Sequence, residues 1–309
     1  MKSLKIGNIK LKNPLFLAPM VNVTDLPYRL ICRKTGAAMA YTEMIYISAI
    51  LHKNTKTQNL MKTSKEDSPI GIQITGNSIN EFKKVTPHLK PYNLVDINCG
   101  CPSIRITGNQ AGSYLLKYPE KISKMIKILK QADLTVTAKI RLGFKTNNVL
   151  KVSKAIEKAG ADALTLHPRL AIQGSSIPAQ WKWIKKVKNS IGIPIIGSGD
   201  IFNGKDAEKM LEIADGAMLA RSAIGDPLIF QRILKYLKTK KESEFNFKQN
   251  IKRLQEYLKL AKEHNLIDIP RIKYLGSNFI KNTRGASKMR NRLMQLRTFE
   301  EIENLVKTI

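Results

Sequence analysis

Residues 135–167 read TVTAKIRLGFKTNNVLKVSKAIEKAGADALTLH and place a strand, a helix and a second strand in succession. Thr135–Ile140 and Ala163–His167 are short, mostly apolar runs, as is typical of strands that are buried on both faces. Between them, the apolar residues of Asn148–Ala159 have helical spacing, and Gly160 follows as a favoured helix terminator. The stretch therefore predicts a β–α–β unit with parallel strands.

The same alternation continues on both sides of this unit, and it predicts eight units in all. Eight units favour a closed (β/α)8 TIM barrel over an open, doubly wound sheet. The second unit, within Tyr41–Leu60, has the weakest pattern. The strand-like runs are Leu15–Ala18, Ala38–Thr42, Ile70–Thr75, Leu94–Asn98, Thr135–Ile140, Ala163–His167, Ile193–Gly197 and Gly216–Ala220. The helices between them are expected at Ser78–Leu89, Pro119–Leu129, Asn148–Ala159, Gly204–Ile213 and Pro227–Leu237.

The pattern changes near residue 240. Lys238–Glu244 is polar and charged, and only segments with helical spacing follow it, at Lys248–His264, Pro270–Asn282 and Ser287–Leu296. We therefore expect a barrel domain over residues 1–240 and a small all-helical domain over residues 245–309.

The charge of the chain is strongly unbalanced. Lys and Arg number 53 against 24 Asp and Glu, which gives a formal net charge of +29. Such an excess favours nucleic acid or an acidic membrane surface as a partner, and a surface that is merely rich in lysine is the alternative. The span Arg271–Arg297 contains eight basic residues and no Asp or Glu. A run of one sign is more typical of phosphate contacts than of a solvated helix face, so we expect nucleic acid.

The cysteine content and the amino terminus indicate the cellular compartment. Cys32, Cys99 and Cys101 are too few and odd in number for a disulfide framework, which favours a reducing environment. The N-terminal stretch lacks the apolar segment of a signal peptide, and no apolar run of about 18 residues is present. We expect a cytoplasmic protein without a membrane partner, and nothing in the sequence implies a protein partner.

In a barrel of this kind, functional groups gather where the strands end. Every predicted strand ends on groups that can contact a ligand, an arrangement that a purely structural barrel does not need. In chain order these are Ala18-Pro19-Met20, Glu43, Gln73, Asn98 with Cys101, Lys139 with Arg141, His167 with Arg169, Ser198-Gly199-Asp200 and Ala220-Arg221-Ser222.

The ends of the seventh and eighth strands are the usual phosphate site of such barrels. The glycines of Gly197-Ser-Gly-Asp200 would allow backbone N–H groups to approach a phosphate. Arg221 on the neighbouring strand would add a guanidinium group. Together the two signals predict a cofactor that carries phosphate.

Lys139 ends an otherwise apolar strand, where an unpaired ammonium group at the barrel mouth would be costly. The negative pyrimidine edge of a reduced flavin would offset that cost, whereas a surface lysine is the alternative. Gln73 can supply amide hydrogen bonds to a flavin ring. His167 can donate to a flavin or to a substrate, and a structural histidine is the alternative.

The pentapeptide Asn98-Cys-Gly-Cys-Pro102 predicts a tight turn that presents the Cys101 thiol at the barrel mouth. A metal site would need further ligands, and no obvious set exists, so we expect no metal. A buried structural thiol is the other alternative. The segment Ile104–Tyr118, with Gly108 and Gly112, is expected to be a mobile lid.

Taken together, these residues resemble the tRNA-dihydrouridine synthase family, and the likeness extends through most of the chain. The Cys-Pro motif in this barrel context is specific, and the helical region with Arg271-Ile-Lys273 is similar to that family's tRNA-binding domain. The matching stretches are Leu17–Met20, Gln73–Gly76, Asp96–Pro102, Gly112–Leu116, Lys139–Gly143, His167–Arg169, Gln173-Gly174, Trp181, Gly197–Ile201 and Ala220–Pro227.

The resemblance implies an enzyme that binds FMN, takes hydride from NADPH or NADH, and reduces the C5=C6 bond of a tRNA uridine. Hydride would pass from flavin N5 to C6 and a proton from Cys101 to C5, with the base turned out of its stack. Cofactor contacts are expected at Ala18, Pro19, Met20, Gln73, Lys139, His167, Ser198, Gly199, Asp200, Ala220 and Arg221. Substrate contacts are expected at Asn98, Arg141, Arg169, Arg271, Lys273, Lys281, Arg284, Arg290 and Arg292.

The chain departs from the family pattern at several positions. His167-Pro-Arg-Leu170 replaces the usual His-Gly-Arg-Thr, Ser198 stands where Asn is common, and Ile172 replaces a frequent acid. These changes bear on local substrate contacts. Two alternatives are an FMN barrel that acts on a free pyrimidine, of the dihydroorotate dehydrogenase type, and a non-catalytic RNA-binding barrel.

Overall fold

The structure is a computed structural model that describes residues 4–281, 283 and 285–309. A short antiparallel hairpin, β1 (Leu4–Ile6) and β2 (Ile9–Leu11), precedes a barrel of parallel strands. The barrel strands are β3 (Leu15–Leu17), β4 (Ala40–Tyr41), β6 (Ile70–Thr75), β7 (Leu94–Cys99), β8 (Val136–Arg141), β9 (Ala163–His167), β10 (Ile195–Ser198) and β11 (Gly216–Leu219). The predicted (β/α)8 fold is confirmed.

The strands are neighbours in the order β3-β11-β10-β9-β8-β7-β6-β4, and each pair is parallel. The ring closes between Leu17 and Met39, whose backbone N–H and C=O groups lie 2.9 Å apart. The second unit, which has the weakest sequence pattern, also has the shortest barrel strand, the two-residue β4. After β4, the chain pairs with β6 again only at β5 (Ile45–Tyr46).

The hairpin at the start of the chain escaped the sequence prediction because each of its strands has only three residues. Its apolar side chains, among them Leu4, Ile6 and Leu11, pack with Leu94 and Ile196 from the beginnings of barrel strands. The hairpin therefore covers the amino-terminal end of the barrel. The opposite end, where the strands finish, stays open for a site.

Among the described residues, ten helices surround the barrel, and the five that were predicted from the sequence agree with the structure to within two residues. They are α1 (Leu26–Lys34), α2 (Ile47–His52), α3 (Thr55–Met61), α4 (Ile79–Leu89), α5 (Ile104–Gly108), α6 (Pro119–Gln131), α7 (Val149–Lys158), α8 (Lys182–Lys188), α9 (Gly204–Ile213) and α10 (Ile229–Thr239). Side-chain caps set several of the starts. Ser78 accepts the N–H of Glu81 at 3.3 Å, and Asn203 accepts that of Asp206 at 2.9 Å.

The chain after residue 246 is helical. It forms α11 (Phe247–Glu263), α12 (Ile269–Phe279), α13 (Ala286–Gln295) and α14 (Phe299–Lys307). The helix α14 was not predicted from the sequence, although Thr298 and Glu301 form a reciprocal capping box at its start. The spacing of Thr298 and Glu301 is the signature of that box and could have revealed the helix.

The helical region is packed firmly on the barrel. The ring of Tyr28 in α1 meets the rings of Tyr257 in α11 and Phe279 in α12 edge-on, at 6.1 and 6.2 Å between centroids. Asn250 of α11 donates to the carbonyl of Gly225 at 2.7 Å. The apolar residues of α11 to α14 belong to the same cluster as the outer barrel core. Barrel and helical region therefore share one hydrophobic core. Among the described helices, none is long and apolar enough to cross a membrane.

Candidate active site

A cavity of about 230 Å³ opens at the carboxyl ends of β8 to β11 and β3. Its lining contains most of the residues that the sequence assigned to a cofactor or substrate, although they come from distant parts of the chain. The predicted residues that line it are Ala18, Pro19, Met20, Lys139, Arg141, His167, Arg169, Ser198, Gly199, Asp200, Ala220 and Arg221. The barrel ends therefore converge as expected, and Gln73, Asn98 and Cys101 lie outside this lining.

The charge of the cavity is strongly positive. Lys139, Arg141, Arg169 and Arg221 line it, and Asp200 is the carboxylate among its lining residues. Asp200 is already paired twice, with Arg169 at 2.6 Å and with Arg221 at 2.7 Å. The unmatched positive charge suits an anionic ligand.

Arg169, predicted from the sequence as a substrate contact, is buried in the structure. Its side chain is only 2% exposed, and it bridges the Asp200 carboxylate and the carbonyl of Ile177, the latter at 2.5 Å. It also donates to Nε2 of His167 at 2.8 Å. Arg169 thus holds the loop after β9 against the turn after β10.

His167 is a neutral imidazole in this site. Burial, followed by the charges of Lys139 and Arg141, lowers its pKa to about 2. Because Nε2 accepts from Arg169, the ring carries its proton on Nδ1. His167 can therefore offer one N–H to a ligand from its neutral ring.

Lys139 is a cation of the cavity whose ammonium group has no ion-pair or hydrogen-bond partner among the described residues. Among the described residues, no carboxylate lies within salt-bridge distance of its ammonium group. Burial, reinforced by the charge of Arg141, lowers its pKa to about 8. A buried ammonium group without a counter-ion is unfavourable, so a bound anion would be stabilised here.

A chain of hydrogen bonds links a buried carboxylate to the Cys101 turn. Asp96 accepts from Gln73 Nε2 at 2.7 Å, and Gln73 Oε1 accepts from Asn98 Nδ2 at 2.8 Å. Asn98 Oδ1 in turn accepts the N–H groups of Gly100 at 3.1 Å and Cys101 at 2.9 Å. The two N–H donors fix the orientation of the Asn98 amide, and Asp96 fixes that of Gln73. We call this chain the Asp96 relay.

The Asp96 relay contains two predicted ligand contacts, Asn98 and Gln73. Asn98, predicted as a substrate contact, uses its carboxamide oxygen to accept two N–H groups of the turn that carries the thiol. Gln73 is buried, and its carboxamide bonds to Asp96 and Asn98. Asp96 was not among the site residues predicted from the sequence. An acid within the apolar strand Leu94–Asn98 was the signal that could have found it.

Residues outside the Cys101 turn also hold it in place by hydrogen bonds to its carbonyl groups. Arg141 Nε donates to the carbonyl of Gly100 at 2.9 Å, and the N–H of Ser113 donates to the carbonyl of Cys101 at 3.0 Å. Since Arg141 lines the cavity, the turn lies against the cavity wall. Cys101 is half-buried, whereas Cys32 and Cys99 are buried. Burial raises the pKa of the Cys99 thiol well above its ordinary value, so Cys101 is the reactive candidate.

The predicted lid is wrong for its second half. Residues Gly112–Lys117 form a short 3₁₀ turn whose Leu115 and Leu116 are buried in the barrel core. Gly112 adopts φ +59, and a Cβ there would meet the Cys101 carbonyl oxygen at 2.7 Å. This half is a fixed support for the thiol turn. Of the segment, Ile104–Gly108 carries the exposed part, with Ile104 itself 88% exposed.

The turns after β10 and β11 fit a phosphate. Gly199 adopts φ +105, and a Cβ there would meet the His167 ring at 2.7 Å, so backbone forms the wall at this point. At the next turn, the buried hydroxyl of Ser222 lines the cavity without a hydrogen-bond partner among the described residues. Together with Arg221, these groups supply the donors that a phosphate-bearing cofactor such as FMN requires.

The basic residues of the helical region divide into two kinds. Lys281 and Arg292 are exposed, Arg290 is half-buried, and Lys273 donates to the Met294 carbonyl at 2.9 Å between α12 and α13. Arg284 lies outside the described residues. Arg271, predicted as a substrate contact, has its guanidinium group buried against Asp25 and Glu43 of the barrel.

The fold and the site define a class of protein: a TIM-barrel enzyme with a basic cavity for an anionic cofactor, and beside it a thiol on a rigid turn. Comparison with known proteins makes the class specific. The family model for dihydrouridine synthase (Dus) matches residues 16–309. The probable tRNA-dihydrouridine synthase of Aquifex aeolicus is 35% identical over 263 residues, which are 82% of this chain and 81% of the relative.

Two further relatives agree. The tRNA-dihydrouridine synthase B of Vibrio vulnificus is 38% identical over 76% of this chain and 75% of its own. The probable tRNA-dihydrouridine synthase 1 of Synechocystis sp. is 33% identical over 99% of this chain and 88% of its own. The chain therefore belongs to the dihydrouridine synthase family, and it is an oxidoreductase.

Solved structures support the fold from a greater distance. An old yellow enzyme homologue from Zymomonas mobilis has a TM-score of 0.55 at 10% identity, and it covers 80% of this chain and 95% of its own. Histamine dehydrogenase from Rhizobium sp. 4-9 has a TM-score of 0.56 at 14% identity, over 84% of this chain and 50% of its own. At these identities the likeness concerns the barrel fold alone.

Proposed function

We propose that this protein is an FMN-dependent tRNA-dihydrouridine synthase, which reduces the C5=C6 bond of a uridine in tRNA with NADPH or NADH as the electron donor. The observation that carries the proposal is the unpaired Lys139 in a basic cavity whose wall is continuous with the Cys101 turn. The names of the relatives supply the substrate class.

The cavity residues would hold the cofactor by its charge. The backbone at Gly199, the Ser222 hydroxyl and Arg221 would bind the phosphate, and the ammonium group of Lys139 would face the negative edge of the ring. FMN bound there would supply the hydride for C6 of the uracil. His167 would contribute one N–H donor from its neutral ring, because burial and the neighbouring cations lower its pKa.

Cys101 would complete the reaction. When C6 gains hydride, negative charge develops at C5 and on the C4 carbonyl oxygen, and C5 must gain a proton. The Cys101 thiol would give that proton and regain one from solvent. The Asp96 relay and Arg141 hold its turn from both sides, so the thiol is presented without a search through alternative loop conformations.

The test of the cofactor is the ultraviolet–visible spectrum of the purified protein together with mass analysis of the released ligand. A yellow preparation that releases FMN supports the proposal and excludes a non-catalytic RNA-binding barrel. Turnover of tRNA, free uridine and orotate is then compared. Turnover of orotate but not tRNA would replace the proposal with a free-pyrimidine enzyme.

For Cys101→Ala we expect normal FMN content and normal oxidation of NADPH, with dihydrouridine formation in tRNA reduced by about two orders of magnitude or more. Dihydrouridine is measured by mass spectrometry of digested tRNA after a single turnover. Cys32→Ala is the matched control, because Cys32 is a buried thiol in α1. Full dihydrouridine formation by Cys101→Ala would remove the proton-donor role.

A further inference from the structure

Arg271 makes the most completely buried ionic contact between the helical region and the barrel. It projects from the first turn of α12, with Nη1 3.1 Å from Asp25 Oδ2 and Nη2 2.9 Å from Glu43 Oε1. The exposed fractions of the three side chains are 10%, 2% and 3%. A surface ion pair contributes little to stability, but removal of one member of a buried cluster leaves uncompensated charge.

Both carboxylates hold the loop that leaves β3. Glu43 Oε2 accepts the N–H of Asn22 at 2.7 Å, at a residue that adopts φ +61. Asp25 Oδ1 accepts the N–H of Tyr28 at 3.0 Å and so caps α1. Each carboxylate thus has one oxygen on the loop or on its helix and the other on Arg271.

The same loop forms a wall of the candidate cofactor cavity. Ala18, Pro19 and Met20 line that cavity. Within the loop, the N–H of Met20 donates to Thr24 Oγ1 at 3.0 Å, next to Asp25. A short chain of contacts therefore leads from Arg271, through the two carboxylates, to the wall at Met20.

The cluster depends on the positive charge of Arg271. Burial raises the pKa values of Asp25 and Glu43, whereas Arg271 lowers both. Three other groups face the cluster. Arg29 also lowers the pKa of Glu43, and the hydroxyl of Tyr257 donates to Asp25 at 3.0 Å. The carboxylate of Asp268 lies 3.9 Å from Arg271 Nε. Without Arg271, two buried carboxylates would repel each other with Arg29 as the remaining cation beside Glu43.

We propose that Arg271 is a positioning residue for the cofactor cavity: from the helical region, it holds Glu43 and Asp25 in place and thereby fixes the loop over residues 19–24. The inference rests on the proposed function, since the cavity is taken as the FMN site. It gives the helical region a role in building the flavoenzyme centre, in addition to any contact with tRNA.

The experiment measures the dissociation constant of FMN by fluorescence quenching in Arg271→Gln and in Lys34→Gln. Lys34 is the matched control, because it also joins the barrel to the helical region, through Glu256, yet it is 57% exposed and belongs to the far end of α1. We expect Arg271→Gln to weaken FMN binding about tenfold or more and Lys34→Gln less than about twofold. Equal effects, or none in Arg271→Gln, would overturn the proposal.

A pH series separates positioning from a general loss of stability. In Arg271→Gln the buried carboxylates gain protons more readily, so the ratio of its FMN affinity to that of the unaltered protein should rise as the pH falls from about 8 to about 6. The double variant Arg271→Gln with Glu43→Gln should recover part of the lost affinity, because one unpaired charge is gone while the Gln oxygen can still accept from Asn22. A ratio that stays flat, with no recovery in the double variant, contradicts the proposal.

Arg271→Lys keeps the measurement possible where Arg271→Gln is too unstable. A lysine carries the charge but cannot reach both carboxylates with a planar fork, so an intermediate FMN affinity is expected. If the FMN affinity of Arg271→Lys equals that of the unaltered protein, simultaneous contact with both carboxylates has no positioning role. Failure of the unaltered protein itself to bind FMN would instead remove the proposed function.

Discussion

The cavity at the barrel mouth and the basic span Arg271–Arg297 look alike in the sequence, since each is rich in cations and poor in acids. In the structure they differ in which cations are paired. At the mouth, Arg169 is tied to Asp200 while Lys139 is without a carboxylate. In the span, Arg271 is tied to the barrel while Lys288 and Arg292 of α13 are exposed.

The difference lies in the environment of the free cations. Lys139 is enclosed, so its pKa falls to about 8 and a bound anion would be attracted strongly at short range. Lys288 and Arg292 of α13 are exposed, where salt screens each contact and affinity must come from several weak contacts together. The mouth therefore suits one small anion, and the surface of α13 suits a polyanion.

The largest effect is expected for Lys139→Met. Loss of the ammonium group should lower the rate of dihydrouridine formation by about two orders of magnitude or more, because charge on the cofactor and substrate is no longer stabilised in an enclosed site. Single-turnover kinetics with tRNA measure it, and Lys182→Met on the exposed start of α8 is the control. A loss of less than about threefold would show that the buried cation is no more important than an exposed one.

The pH dependence of the unaltered enzyme follows from the same residue. In the free enzyme the ammonium form of Lys139 is present below about pH 8, and a bound anion raises this pKa, so activity should fall on the alkaline side, above about pH 8. Asp96 raises the pKa of Lys139 by its charge. In Asp96→Asn the alkaline fall should therefore move to lower pH, by about half a unit to one unit.

The pH–rate profile of Asp96→Asn is compared with that of Thr137→Val. The hydroxyl of Thr137 donates to the same carboxylate at 2.7 Å but carries no charge. The Thr137→Val profile should keep the alkaline fall where it is. An unmoved fall in Asp96→Asn would indicate that a group other than Lys139 sets it.

The smallest effect per residue is expected on α13. Replacing Arg290 and Arg292 together with Ser should weaken tRNA binding by about tenfold at moderate salt and reduce the magnitude of the slope of log K against log salt by about one to two. Filter binding over a salt series measures both quantities. Arg253→Ser in α11, whose guanidinium is paired with Glu256 at 2.5 Å, is the control. A slope unchanged from the unaltered protein would exclude phosphate contacts by this pair.

Much of the fold was predictable because its signals are local. Apolar runs such as Ile70–Thr75 and capped helices such as Gly204–Ile213 carry their period in neighbouring residues, and the structure reproduces both ranges. The hairpin over residues 4–11 was missed because three-residue strands have too few positions to show a period. The second barrel unit was correctly identified as the weakest, since β4 has two residues.

The candidate site was predictable to the extent that a residue's place at a strand end determines its neighbours. Lys139, Ser198 and Arg221 reached the cavity for that reason. The role of Asp96 was missed because it depends on hydrogen bonds to Gln73 and Thr137, which come from the two adjacent strands.

The sequence by itself determined the barrel, the family likeness and the excess of positive charge, because each follows from residue type and order along the chain. Tertiary structure alone decided which cations are free. In the sequence, the guanidinium groups of Arg169, Arg271 and Arg292 cannot be told apart. Only the carboxylates that lie beside them in the fold distinguish a structural ion pair from a cation that is free for a ligand. Pairing acts over a few ångströms in space, and the partners of Arg271 lie more than two hundred residues away in the sequence.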